Sequence, residues 1–135
     1  MLLTDTGPLV ALIDKKDGLH RRAAAFAGTT TATLATTDAC LTEALYLLGD
    51  AGGWRAQSLL TELVSSDNLR ILPPPADGPQ RAFGYMERFC DQPCDYADAT
   101  LLVAAEDFAH RIVFTFDGHF YAYRLADGSR HQVVG

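Results

Sequence analysis

Lysine is almost missing from this chain of 135 residues: two occur, side by side, at Lys15 and Lys16. A phosphoacceptor receiver domain needs a lysine after a late strand, so that small acidic α/β class is excluded. Basic charge is short altogether, with 11 Lys and Arg against 17 Asp and Glu and a net charge of −6. Broad electrostatic capture of nucleic acid normally wants the opposite sign, since it rests on neutralising phosphates, so the charge weakens a nucleic-acid reading without excluding it. No apolar run approaches the roughly 20 residues that cross a bilayer, which predicts no membrane partner. The start, Met1-Leu2-Leu3-Thr4-Asp5, lacks a basic leader segment, and a cytoplasmic location is the expectation. Three cysteines, Cys40, Cys90 and Cys94, cannot all pair, and Cys90-x-x-x-Cys94 has no second Cys/His pair to complete a zinc site. There is no Gly-x-Ser-x-Gly, no glycine-rich phosphate loop and no histidine placed to activate Cys40, so nucleophilic hydrolase chemistry finds no support.

What is present is the makeup of one folded unit. Hydrophobic residues make up 48% and charged residues 21%, enough apolar surface for a core and too little net charge for disorder. No repeat, long linker or low-complexity tail divides the chain, so a single domain over residues 1–135 is expected. Short apolar runs alternate with helical patterns. Leu2 to Thr4, Thr33 to Thr36, Leu69 to Leu72 (stopped by Pro73-Pro74-Pro75), Arg111 to Phe116 and His131 to Val134 read as strands. Helices are predicted after Thr6-Gly7-Pro8, with Thr6 as N-cap, over His20 to Ala27 closed by Gly28, and over Asp38 to Leu48. Further helices are predicted over Trp54 to Val64 beyond a Gly52-Gly53 break, over Gly78 to Phe89, and from about Asp95 to Ala109. This alternation predicts an α/β architecture with a mainly parallel central sheet.

Four acids sit where a carboxylate is hard to explain as surface. Asp5 ends the first strand, Asp117 follows the clearest one, Glu43 lies alone in Ala39-Cys40-Leu41-Thr42-Glu43-Ala44-Leu45, and Asp98 opens an apolar helix. In open α/β sheets, sites form outside the carboxyl ends of the strands. Asp5 and Asp117 would share that edge, Asp98 would lie at the start of a helix leaving it, and Glu43 one turn into another. Singly, each has a structural reading: a turn, a surface pair, a dipole partner. Asp95, three residues before Asp98, reads as the N-cap of a capping box. Together the four acids predict one pocket whose natural occupant is a hard divalent cation. Two such ions would bring the net charge from −6 to −2. Lys15, Lys16, Arg21, Arg22, Arg55, Arg81 and Arg88 could then supply a local basic patch.

The segments Leu2-Leu3-Thr4-Asp5-Thr6-Gly7-Pro8-Leu9-Val10-Ala11-Leu12-Ile13, Thr42-Glu43-Ala44, Tyr96-Ala97-Asp98-Ala99-Thr100-Leu101 and Thr115-Phe116-Asp117 with Phe120 resemble the PIN domain in order and spacing. Within it, they resemble the VapC-type ribonucleases of bacterial toxin–antitoxin pairs. The resemblance implies a three-layer α/β/α fold and a Mg²⁺- or Mn²⁺-dependent endoribonuclease with an RNA substrate, a cognate antitoxin and a homodimer. On the homodimer, Leu59, Leu60, Leu63 and Val64 are the candidate face. Carried over residue by residue, the catalytic and metal-holding set falls on Asp5, Glu43, Asp98 and Asp117, with Asp95, Thr115 and Thr6 in support. Where the family often has a second acid in its last motif, this chain has Gly118-His119. The alternative reading keeps the fold and pocket for binding RNA or protein without cutting.

Overall fold

The computed structural model describes residues 1–135. Five three-residue strands form one sheet: β1 (Leu2–Thr4), β2 (Leu34–Thr36), β3 (Leu69–Ile71), β4 (Ile112–Phe114) and β5 (Gln132–Val134). Their spatial order is β3-β2-β1-β4-β5 and every neighbouring pair is parallel. Five helices connect and cover them: α1 (Thr6–Ile13), α2 (His20–Thr29), α3 (Asp38–Ser65), α4 (Gly78–Arg88) and α5 (Tyr96–Asp107).

Side-chain alternation along the strands builds the three layers. Leu3, Ala35 and Val113 point to one face and join α4, α5 and the start of α3 in the main core. Leu2 and Phe114 point to the other, against Ala11 of α1 and Ala23 of α2. Leu9, Ala44, Leu48, Leu60 and Leu69 close a third cluster where α1 and α3 meet β3. The architecture is α/β/α, and the sheet is wholly parallel. Consecutive strands run outward from β1 to β3 on one side, then jump across to β4 and β5 on the other. The strand order therefore reverses between β1 and β4, and that is the switch point at which α/β sheets open a crevice.

Several element ends differ from the sequence reading. The N-cap of α1 is Asp5, whose carboxylate accepts from the Thr6 N–H, so Thr6 is the first helical residue. Asp5 still donates its N–H to Phe114 O, as a strand residue would, but its side chain already serves the helix. Gly28 does not close α2, which continues to Thr29. α3 runs through Asp38–Ser65, yet Gly53 inside it has φ 63° and ψ −157°, a backbone few side chains tolerate, so the expected break is a sharp kink between two packed halves. β4 stops at Phe114, leaving Thr115 and Phe116 as a linker before Asp117 caps a 3₁₀ turn, Gly118–Tyr121. No helix is long and apolar enough to cross a membrane.

α3 and α5 end alike. Beyond α5, Ala109 adopts φ 51°, with Ala109 N–H donating to Glu106 O and His110 N–H to Ala105 O. Asp67, at φ 61°, closes α3 with the equivalent pair of bonds to Val64 and Leu63. Both are Schellman closures, made without the glycine that usually relieves the left-handed residue.

Candidate metal centre

The site begins at β1. Asp5 is buried where β1 passes into α1, and both of its carboxylate oxygens accept hydrogen bonds. One accepts from Thr6 N–H at 2.8 Å; the other accepts from the Thr115 hydroxyl at 2.8 Å. The same Thr115 oxygen accepts the Asp117 N–H at 2.9 Å. Thr115, itself buried, thus ties the ends of β1 and β4 together and holds two of the acids side by side. Each carboxylate oxygen retains a further lone pair toward the pocket.

Asp98 arrives from the start of α5. Asp95 caps that helix by accepting Asp98 N–H at 2.8 Å, and Asp98 returns the bond by accepting Asp95 N–H at 3.2 Å. The capping box is complete, and it aims the Asp98 carboxylate at the other two. Carboxylate oxygens of Asp5, Asp98 and Asp117 all lie within 4.8 Å of one another. Glu43, from the second turn of α3, stands on the wall of the same pocket but outside this tight group, with Asp95 as its acidic neighbour. Thr6 lines the wall as well, and its hydroxyl lies 3.5 Å from Cys40 O.

The pocket is electrostatically one-sided. Asp5, Glu43, Asp95, Asp98 and Asp117 line it together with Thr6, Gly7, Pro93, Phe116 and His119, and no lysine or arginine is among them. Burial, opposed by the Thr115 and Thr6 bonds and reinforced by Asp117 and Glu43, pushes the Asp5 carboxyl up to about 6. Burial, then Asp5 and Asp95, pushes Asp98 up to about 8. Glu43 is also raised, by burial first and by Asp95 second. Without a counter-charge Asp98 therefore keeps its proton at neutral pH, while Asp5 has largely given its own up. A set of clustered hard oxygen donors without an organic cation fits a divalent ion of the Mg²⁺ or Mn²⁺ kind. Asp5, Asp98 and Asp117 are the residues that could hold it.

His119, standing where the resembled family often has a second acid, belongs to this wall. Its Nδ1 lies 2.6 Å from Asp117 Oδ1, and its backbone N–H donates to the same oxygen at 2.9 Å. The signal was the Asp-x-His spacing, which a 3₁₀ turn folds onto itself. Tyr123 is a residue the sequence did not single out: buried under the turn, it donates its hydroxyl to Pro93 O and so anchors the loop that forms one rim.

The cysteines take no part. Burial, with Asp5 nearby, pushes the Cys40 thiol up to about 12, and burial followed by Asp98 pushes Cys94 to about 11. Both stay neutral, and all three are free. The basic residues do not assemble into one patch: they are spread over the α1–α2 corner, α3 and α4. Arg81 is already engaged with Asp77 and Glu106, each at 3.6 Å. Of the candidate dimer face, Leu60 is fully buried and Leu63 and Val64 pack beside it, leaving Leu59 exposed. Core packing explains most of that stripe.

The fold and the place of the pocket define a three-layer PIN-like α/β/α architecture with its acidic crevice at the β1/β4 switch point. No protein-family model and no curated protein matches the chain by sequence. Solved structures do. The chain is similar to Mycobacterium tuberculosis VapC20, described as a Sarcin-Ricin loop cleaving toxin, with a TM-score of 0.83 and 23% identity over 90% of this chain and 94% of that one. It is also similar to a chain of a toxin–antitoxin complex from Klebsiella pneumoniae, with a TM-score of 0.68 and 17% identity over 100% of this chain and 97% of that one. At these identities the likeness establishes the fold: a VapC-type PIN fold.

Proposed function

We propose that the protein is a metal-dependent endoribonuclease that hydrolyses RNA phosphodiester bonds, acting as the toxin of a toxin–antitoxin pair. The observation that carries this is the group of three carboxylates within 4.8 Å, walled by two more acids and no lysine or arginine, at the switch point of the sheet. The similarity in fold to a described RNA-cleaving toxin supports the choice of substrate.

In this reading Asp5, Asp98 and Asp117 hold the divalent ion, Mg²⁺ or Mn²⁺. Such an ion supplies Lewis-acid activation of a water and offsets charge on the leaving oxygen. Thr115 fixes the Asp5 and Asp117 carboxylates in register, and a positioning role of this kind is worth 10–100-fold at other metal sites. Asp95 aims Asp98 through the capping box. Glu43, raised by burial and set back from the triad, orients water on the open side or helps to hold a second ion. His119 keeps Asp117 turned toward the centre. A partner that covers the site needs a cation to replace the metal charge, and the antitoxin is the candidate.

The decisive experiment combines cleavage and binding. Purified protein should cut single-stranded RNA with Mg²⁺ or Mn²⁺, stop in EDTA, and lose activity in Asp5→Asn. Binding of RNA or of a basic peptide that persists in EDTA, with no cleavage under any metal, would favour the non-catalytic module. That second reading draws on the same uncompensated acids, which attract an arginine as readily as an ion.

A further inference from the structure

The acidic pocket is not the end of the crevice. Glu43 and Asp95, on its wall, also edge a shallow hollow floored by Ala39 and Ala97 and flanked by Tyr46 and Tyr96. Ala39, Thr42 and Tyr96 then form a shared border with a deeper cavity of about 190 Å³, which lies between the start of α3, the middle of α5 and the run Pro73-Pro74-Pro75. Three hollows thus make one path leading away from the proposed reaction centre.

The chemistry of this path selects its occupant. No lysine or arginine lines any part of it, so nothing along it pairs with a phosphate and recognition falls to a base. The walls instead offer aromatic and flat apolar surface: Tyr46 is 74% exposed, Tyr96 is 39% exposed, and the Tyr96 ring lies 5.8 Å from the exposed Phe83 ring. Such rings stack on unpaired bases. At the cavity mouth stands Asp38, exposed and in none of the chain's ion pairs. The hydroxyls beside it are already committed, Thr37 to Thr100 at 2.7 Å and Thr42 to Asp38 O at 2.8 Å. The free recognition group is therefore an acceptor-only carboxylate. The volume is below the roughly 300–1,000 Å³ of a drug-sized pocket, which suits one ring system.

We propose that this cavity receives a single unpaired guanine of the RNA, next to the bond that is cut, with Asp38 accepting from its Watson–Crick edge and Tyr96 flanking its ring. Guanine leads because its N1–H and N2 amino group both donate along one edge and match one carboxylate bidentately. Adenine, cytosine and uracil each bring a single donor group to that edge. The proposal rests on the nuclease reading for its substrate, and a direct binding arm separates the two.

The test titrates guanosine, adenosine, cytidine and uridine monophosphates into the metal-free wild-type protein in EDTA, followed by amide NMR. Guanosine monophosphate should shift the Thr100, Val103 and Ala104 amides and bind about tenfold or more tightly than the others, as a bidentate base contact does. Asp38→Asn should reduce that preference about tenfold. In cleavage assays on unstructured oligonucleotides with one guanosine, the ratio of kcat/KM over the adenosine version should fall by a similar factor. Equal binding of all four nucleotides, or shifts confined to other residues, would overturn the proposal, as would a basic peptide occupying these amides while guanosine monophosphate does not. Metal-dependent cleavage without base discrimination removes this inference alone. Guanine binding in the cavity without any RNA cleavage removes the nuclease reading and leaves a guanine-recognition site.

Discussion

Two groups of partly buried carboxylates in this molecule are handled in opposite ways. On α5, Glu106 accepts the Tyr85 hydroxyl, lies 3.4 Å from the Ala126 N–H and faces Arg81 at 3.6 Å. Both carboxylate oxygens there have donors, and the result ties α4, α5 and the 122–130 segment together. At the start of the same helix, Asp98 faces Asp5 and Asp117, and the pocket contains no lysine or arginine. One helix carries a neutralised acid at its C-terminal end and an un-neutralised one at its N-terminal end. The chain gives Glu106 its counter-charge; under the proposed function, the Asp98 group takes its own from outside.

The largest expected effect breaks the second group. Asp98→Asn should reduce RNA cleavage by at least about 100-fold, since it removes a ligand from the proposed metal set. It should also stabilise the metal-free protein by about 0.5–2 kcal/mol, the usual relief when a strained functional site is neutralised. Thermal melts in EDTA and a cleavage assay check both halves, and a destabilised variant would argue that the cluster is structural. Thr115→Val should come next, lowering cleavage about 10–100-fold because Asp5 and Asp117 lose their shared hydroxyl, with modest loss of stability.

Glu106→Gln tests the neutralised group. It should cost about 1–3 kcal/mol in a denaturant melt, the worth of hydrogen bonds to a charged group, while RNA cleavage persists. A loss of cleavage with intact stability would merge the two groups and dissolve the contrast.

The pH dependence sharpens it further. Asp5 and Asp98 have folded-state pKa values near 6 and 8, above the ordinary 3.8, so the folded metal-free protein holds more protons than the unfolded chain between those limits. Their contribution is full below about pH 4 and is lost as pH rises through 6 and then 8. His131 works the other way. Burial lowers it to about 4, and both ring nitrogens lack partners, so its contribution is lost as pH falls from 6.5 toward 4. The two trends oppose below pH 6.5. Between 6.5 and 8 the metal-free protein should lose stability with rising pH, and Asp98→Asn or saturating Mn²⁺ should flatten that slope. A flat wild-type profile in EDTA would contradict the raised carboxyls.

Much of this was legible in the sequence. Strand–helix alternation marked the parallel sheet, because fully buried strands read as short apolar runs and their helices carry caps and breaks such as Gly53. The placing of Asp5, Asp98 and Asp117 at one edge followed from element order alone. The rest depended on distances that no spacing encodes. Glu43 reads like the other three acids but, in the second turn of α3, lines the pocket beside Asp95 and stays outside the tight group. His119 near Asp117 reads either as a proton donor or as an exposed loop histidine, and spacing alone favours the loop. Its place depends on Asp117 capping a short 3₁₀ turn, and β4 ending early at Phe114 created the room for it. Arg81 looked like part of a basic patch until Glu106, 25 residues away, was seen to hold it.

The central claim is that three carboxylates from distant parts of the chain hold a divalent ion between them. A crystal soaked in Mn²⁺ and measured for anomalous scattering tests it most directly: a peak bounded by oxygens of Asp5, Asp98 and Asp117 is the predicted result. No peak there at millimolar Mn²⁺, or one held elsewhere on the protein, would contradict it.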